Sequence, residues 1–295
     1  MCLLVLAWQA HPRYRLIVAA NRDEFHERPA APLMKWPEPD DILAGRDLRA
    51  QGTWLALDRR RRFAVVTNFR DLQRPNPHAP SRGDLIPRFL SEKSAGEPHG
   101  RGVGAGAGGG AGADGGAGAG RAGGPEQFLA ALEPHSAAYS GFNLLLADEQ
   151  SLWYGCNRAE PFSRPLAPGI YGLSNQFLDT PWPKLRRVRQ QFEAWLDQSR
   201  TLPASSGAHS ADALLAMLND RQTAAGEDLP QTGLTVEWER TLSAPFVLHP
   251  DYGTRSSTVL LLETSGAFEL IERRFDPRGT LTGESRFQLG ADAWP

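Results

Sequence analysis

The order of apolar segments predicts an α+β fold in which antiparallel sheets pack together with helices outside. Three observations carry this. Short apolar runs rich in aliphatic and β-branched residues come in neighbouring pairs joined by turn sequences. Segments with three- and four-residue apolar spacing fall in two groups between those runs. The resulting order of strands, helices, strands, helices, strands lacks the strict alternation of a parallel βαβ sheet. A chain of 295 residues, 41% hydrophobic and 22% charged, has the composition of a globular protein with a substantial core. We expect one domain over 1–295.

The first pair is "CLLVLAW" (2–8) and "RLIVAAN" (15–21), separated by "QAHPRY" and read as a hairpin. The second is "TWLALD" (53–58) and "FAVVTN" (63–68), with Arg59, Arg60, Arg61 and Arg62 expected to form a solvated hairpin tip. "SRGDLIPRFLSEK" (81–93) has a serine start and helical spacing, with Pro87 expected to kink it. The Gly/Ala-rich stretch at about 95–125 contains a G-x-G-x-x-G spacing that such a run produces by composition alone. It offers too little apolar surface to offset ordering entropy, and a disordered insertion is expected.

A helix follows at "PEQFLAAL" (125–132), then a strand pair at "FNLLLAD" (142–148) and "SLWYGC" (151–156), with Cys156 a packing residue. "GIYGLSN" (169–175) reads as a strand leading into an amphipathic helix over 180–199. Its apolar stripe is Trp182, Leu185, Val188, Phe192, Trp195 and Leu196; Lys184, Arg186, Arg187 and Arg189 are assigned to its solvated face. A helix at "ADALLAMLND" (211–220) precedes strands at "SAPFVL" (243–248), "RSSTVLLLE" (255–263), "AFELIERRF" (267–275) and "RFQL" (286–289).

Several function classes are disfavoured. A formal charge of −2 does not supply the concentrated basic surface that nucleic acid requires. Two cysteines make neither a disulfide framework nor a metal cluster, and fit a reducing, cytoplasmic compartment. "CLLVLAW" is too short to span a bilayer and lacks the flanks of a signal peptide, so no stable membrane insertion is expected. The seven histidines are scattered among turns, and no H-E-x-x-H, C-x-x-C, Walker A or G-x-S-x-G pattern occurs. No metal and no required cofactor are expected.

What remains is a set of polar residues at strand ends: Asn21, Arg22, Asp23 and Glu24, then Asn68, Asn175 and Arg255. Loops and strand ends carry function on a rigid scaffold, although asparagine also serves as an ordinary turn or cap residue. Cys2 admits two readings. It is either a small hydrophobe opening a strand, or, once Met1 is removed, a nucleophile whose own α-amine is its base. Strand alternation puts Asn21 and Asp23 on one face and Arg22 on the other.

Together, "AANRDEFHERP", "GRDLRAQGTWLAL", "AVVTNFRD", "SRGDLIPRFL", "GIYGLSNQFLDTPWPK" and "DYGTRSSTVLLLE" resemble the sequence blocks of the NRDE family, whose eukaryotic members are called transport and Golgi organisation proteins. The resemblance covers nearly the whole chain except 95–125. It implies a four-layer αββα sandwich of two antiparallel sheets, similar to N-terminal-nucleophile hydrolases. Within that superfamily the nearest mechanistic likeness is to bile-salt hydrolases and penicillin V acylases. It implies Cys2 as nucleophile, Asp23 beside Asn21 as the strand-end carboxylate, Asn68 and Asn175 as oxyanion donors, and Arg255 as a cation favouring thiolate. That group places an arginine before the asparagine of the second strand; here Ala20 holds that position and Arg22 lies on the other side. The implied activity is hydrolysis of a linear amide or acyl bond through a Cys2 thioester. The family's connection with haem trafficking and with lipid or acyl-CoA metabolism implies the alternative, a carrier of haem or a lipid-like small molecule.

Overall fold

The computed structural model describes residues 2–39, 41–71, 78–91, 123–201 and 211–295, with Cys2 and Thr201 described by their backbone alone. The expected Gly/Ala-rich insertion lies outside the described residues, apart from its last positions. Two antiparallel sheets make up the fold. The first has six strands: β1 (Cys2–Trp8), β2 (Tyr14–Phe25), β10 (Gly169–Leu173), β11 (Tyr252–Glu263), β12 (Phe268–Phe275) and β13 (Leu281–Leu289), in the order β10-β1-β2-β11-β12-β13. The second runs in sequence order through β3 (Ala30–Lys35), β4 (Ile42–Asp47), β5 (Leu55–Asp58), β6 (Phe63–Asn68), β7 (Phe142–Ala147), β8 (Leu152–Cys156) and β9 (Ser163–Leu166).

The period-2 alternation of the strands sorts the core into layers. Leu4, Leu6, Leu16, Val18, Leu260 and Leu270 of the first sheet meet Leu43, Leu57, Val65 and Leu145 of the second. The opposite face of the first sheet, with Leu3, Val5, Ile17, Ala19 and Val259, is covered by α3 (Pro183–Thr201) and α4 (Ala211–Leu218). On the second sheet, Ala56, Ala64, Leu144 and Leu146 face α1 (Leu85–Ser91) and α2 (Pro125–Leu132). Among the described residues no helix is long and apolar enough to cross a membrane.

The predicted hairpins form, and the differences from expectation have local causes. Strands β3 and β9 contain Pro32 and Pro165, which read as breakers in sequence; both strands lie at sheet edges, where a missing N–H is tolerated. Pro87 falls in the first turn of α1, whose N–H groups have no intrahelical partner, so it needs no kink. The apolar run 243–248 is not a strand. It is an irregular segment after α5 (Val236–Leu242), a helix capped by Thr235, and it buries Phe246 and Val247 while carrying Pro245, which has no N–H to give a ladder.

The arginine run is the largest correction. Arg59 and Arg60 are exposed, but Arg61 and Arg62 are buried. The Arg61 guanidinium donates to the carbonyls of Gly266 at 2.7 Å and of Ala291 and Ala293 at 2.8 Å, and its face lies against Phe268 and Trp294. Thus one side chain holds the C-terminal segment on the first sheet. Arg62 pairs with Asp58 at 2.7 Å and donates to the carbonyls of Phe89 and Leu90 at the end of α1. Each guanidinium donates from its Nε and from both terminal nitrogens. Removing one partner of a buried pair strands the other charge. Accordingly, Arg62→Ala and Asp58→Ala should each lower the unfolding free energy by roughly 3–5 kcal/mol in urea titrations, whereas Arg59→Ala should change it by under about 0.5 kcal/mol.

Candidate active site

Strand β2 is paired along its length, to β1 on one side and to β11 on the other. Its end carries Asn21, Arg22, Asp23 and Glu24. Cys2 stands opposite Arg22 in the β1 register. On the β11 side Asn21 faces Ser257, Arg22 faces Ser256 and Asp23 faces Thr254, with Arg255 the extra residue of a bulge.

Consecutive residues of the quartet enter different layers. The Asn21 amide donates to the carbonyls of Leu218, at the end of α4, and Pro245, both at 2.9 Å, and accepts from the Ser257 hydroxyl at 2.6 Å. Asp23 shares that helix-covered face. Its Oδ1 accepts from the Thr254 hydroxyl at 2.7 Å, and its main-chain carbonyl accepts from the Tyr252 hydroxyl at 2.9 Å. Burial pushes the Asp23 carboxyl above its ordinary value, against the opposing pull of Lys184 and the Thr254 bond. Arg22 goes the other way, between the sheets, where its guanidinium stacks on Trp54 with 4.2 Å to the ring centroid.

Arg22, Asp23 and Asn68 line one cleft of 340 Å³, with Arg28, Arg82 and Trp54 also in its wall. Its rim is set where Gly52 approaches Gly83 so closely that an added Cβ would meet Gly83 backbone carbon at 2.5 Å. Asn175 is fully buried, and its Nδ2 donates to the Asn68 carbonyl at 3.0 Å while its own carbonyl accepts from Arg70 N at 2.7 Å. The loop after β10 is thereby tied to the end of β6. A second tie runs nearby: Asn143 donates to the Gln176 carbonyl at 3.0 Å and accepts from the Tyr154 hydroxyl at 2.7 Å.

The structure therefore brings Arg22, Asp23 and Asn68 to one cleft with the backbone of Cys2 in register beside them, and puts Asn175 one bond behind Asn68. It does not bring Asn21 or Arg255 into that wall. Asn21 is a buried junction between three segments. Arg255 Nη1 donates to the carbonyls of Phe25, His26 and Arg28 at 2.9, 3.2 and 3.2 Å, fastening the turn between β2 and β3. Burial lowers the Arg255 pKa, and Arg22 lowers it further. Cys156 is buried between the sheets, where burial pushes its thiol up and leaves it little thiolate.

Sequence reading missed Thr254, Tyr252, Trp54 and Lys184. The hydroxyls of "DYGTRSS" at the mouth of an apolar strand were the available signal for the first two. Lys184 was assigned to solvent but is 1% exposed. It lies four residues before Val188 and eight before Phe192, on the apolar stripe, so its position on the helix already argued for burial. Among the described residues no group of histidine, cysteine and carboxylate side chains is arranged to hold a metal.

Because every polar atom of the Asn21 side chain is engaged and buried, Asn21→Ala should cost about 2–4 kcal/mol by leaving several partners unpaired. Asn21→Asp should also destabilise, since its acceptor oxygen would face two carbonyls. Denaturant unfolding measures both.

A family profile described as Transport and Golgi organisation 2 matches residues 1–277. The chain is 32% identical to a Bos taurus "Transport and Golgi organization protein 2 homolog", over 98% of this chain and 99% of that one. It is 31% identical to the Homo sapiens homolog of the same name over 92% of each chain, and 25% identical to the Drosophila melanogaster "Transport and Golgi organization protein 2" over 95% of each. Agreement over nearly the whole length places this chain in the transport and Golgi organisation 2 family.

Proposed function

We propose that the protein is a hydrolase similar to the N-terminal-nucleophile enzymes, cleaving a linear amide or related acyl bond with Cys2. The observation that supports this reading is the register of β1 on β2, which pairs the Cys2 backbone with Arg22, a residue that lines one cleft together with Asp23 and Asn68. After Met1 is removed, the Cys2 amine, with an ordinary pKa near 7.7–8.0, takes the thiol proton. The thiolate sulfur attacks the carbonyl carbon, and the C=O electrons move to oxygen. Collapse of that adduct breaks the C–N bond; the amine leaves with the proton returned from the Cys2 ammonium. Water, deprotonated by the same amine, then hydrolyses the thioester. Asp23 holds the amine in place. Asn68 donates to the oxyanion, and Asn175, through the Asn68 carbonyl, fixes where Asn68 stands.

The deciding experiment combines intact-mass analysis with thiol labelling. The expected result is a chain beginning at Cys2 that is carbamidomethylated there by iodoacetamide at pH 6–7 and forms a thioester adduct with an acylating substrate analogue. Cys2→Ser and Cys2→Ala should abolish labelling and turnover, while Cys156→Ser spares both. Retained Met1 in most molecules overturns the mechanism. So does an unreactive Cys2 together with haem or acyl-CoA binding that survives Cys2→Ala, the behaviour of a carrier.

Two kinetic outcomes follow from the site. Asn68→Ala should lower turnover on the order of 10²-fold or more, as loss of an oxyanion donor does. Because burial raises the Asp23 pKa and its ionised form is the one that holds an ammonium, activity should fall as pH drops through that raised value. The acid limb should therefore lie above the ordinary carboxylate range, near 3.9, and Asp23→Asn should remove that limb along with most of the rate.

A further inference from the structure

Arg22 carries the only guanidinium of the quartet, and its side chain is set apart by its partners. It is 7% exposed, and among the described residues no carbonyl, carboxylate or hydroxyl accepts from its guanidinium. Stacking on Trp54 satisfies the flat face of the group and leaves its N–H fork free in the plane. Arg22 lines two hollows, so the fork is open to an acceptor carried by a ligand.

The stack stands between two hollows, and both Arg22 and Trp54 line each of them. One is the 340 Å³ cleft; the other, of 140 Å³, lies toward β12 and is walled by Arg255, Ser256, Glu272 and Arg274 as well. The smaller hollow holds three guanidiniums against a single carboxylate. Two of the three are committed: Arg255 to the turn carbonyls, and Arg274 to Glu272 at 3.6 Å and to the Ser285 hydroxyl at 2.8 Å. Glu272 in turn accepts from Leu33 N at 2.9 Å. Arg22 is left over. A second and independent observation lies beside it: the Ser256 hydroxyl, register partner of Arg22, is buried with no hydrogen-bond partner among the described residues. An excess of positive charge, a free guanidinium fork and a free hydroxyl converge on a space several times the roughly 30 Å³ that a water occupies.

We infer that this hollow binds an oxyanion group, a carboxylate or a phosphate, carried by the same molecule whose acyl bond lies in the larger cleft. Arg22 takes the anion through its N–H fork and Ser256 donates a further bond. Glu272 and the neighbouring arginines limit the group to one of modest net charge. The substrate class is then an amide with a pendant anion, an N-acyl amino acid or its phosphorus counterpart. Resting as it does on the proposed function for the acyl end, the anion site itself needs no turnover to be detected.

Calorimetric titration of the Cys2→Ala protein separates the two. Three small probes of the same shape serve: N-acetylglycine, (acetamidomethyl)phosphonate and the neutral N-acetylglycinamide. At least one anionic probe should bind roughly tenfold or more tightly than the neutral amide, the expected worth of a hydrogen bond to a charged group; which of the two anions binds tells carboxylate from phosphate. Arg22→Gln should erase that preference, Arg22→Lys should keep part of it, and Ser256→Ala should weaken it about threefold, as loss of one neutral donor does. Should Arg22→Gln fail to fold, Arg22→Lys and Ser256→Ala decide. Equal binding of all three probes, or an anion preference untouched in Arg22→Lys and Ser256→Ala, overturns the inference. An anion preference in a protein that never forms a thioester upholds this site while refuting the hydrolase.

Discussion

Everything at the working end of this protein depends on the ladder between β2 and β11. That ladder runs from the Glu263–Tyr14 pair to the Tyr252–Phe25 pair, and its register shifts twice: between Leu262 and Glu263 at the far end and, beside the cleft, at Arg255. On the near side of the Arg255 shift the register delivers Ser257 to Asn21 and Ser256 to Arg22; beyond it, Thr254 meets Asp23 and Tyr252 reaches the Asp23 carbonyl. Without the extra residue, the hydroxyls of Thr254 and Ser257 could not both lie on the helix-covered face, because an odd separation along an unbroken strand puts side chains on opposite faces. The bulge also turns Arg255 outward, where it fastens the turn that follows β2.

The two sheets are joined differently at their two ends. In the middle, leucine and valine side chains interdigitate, and each contributes on the order of 1.5–3 kcal/mol by leaving water. Near the cleft the apolar layer gives way to directed bonds: Asn175 to Asn68, Asn143 to Gln176 and Tyr154, and the Arg22–Trp54 stack. Apolar contact is tolerant of small shifts and hydrogen bonds are not. That makes the polar end the better defined of the two.

Much of this architecture was legible in sequence. Continuous apolar runs at 2–8, 15–21, 63–68 and 142–148 gave the central strands, buried on both faces, and three- and four-residue spacing gave α3 and α4, buried on one; each signal is a local consequence of burial. The opposition of Arg22 to Asn21 and Asp23 also follows from alternation alone. What could not be read was anything requiring a distant partner. Arg61 and Arg62 looked like a solvated tip because the carbonyls that bury them come from residues 89–90, 266 and 291–293. Asn21 and Arg255 looked like chemistry because nothing local announces that Leu218, Pro245 and the β2–β3 turn are their partners. Lys184 was different, since its place on the apolar stripe was visible and its charge outweighed that position in the reading.

The alternation of the quartet has a consequence for how such a protein can change over time. Three adjacent residues report to different partners: Asn21 to the joint below the helices, Arg22 to the space between the sheets, and Asp23 to the hydroxyl pair of β11. An insertion or deletion of one residue anywhere in the quartet exchanges these partners wholesale, turning a junction amide toward the cleft and a cation into the helix layer. Point substitutions can drift one role at a time, but a change of length at this strand end cannot, which leaves variation in the shape of the cleft to the facing walls around Trp54 and Arg82.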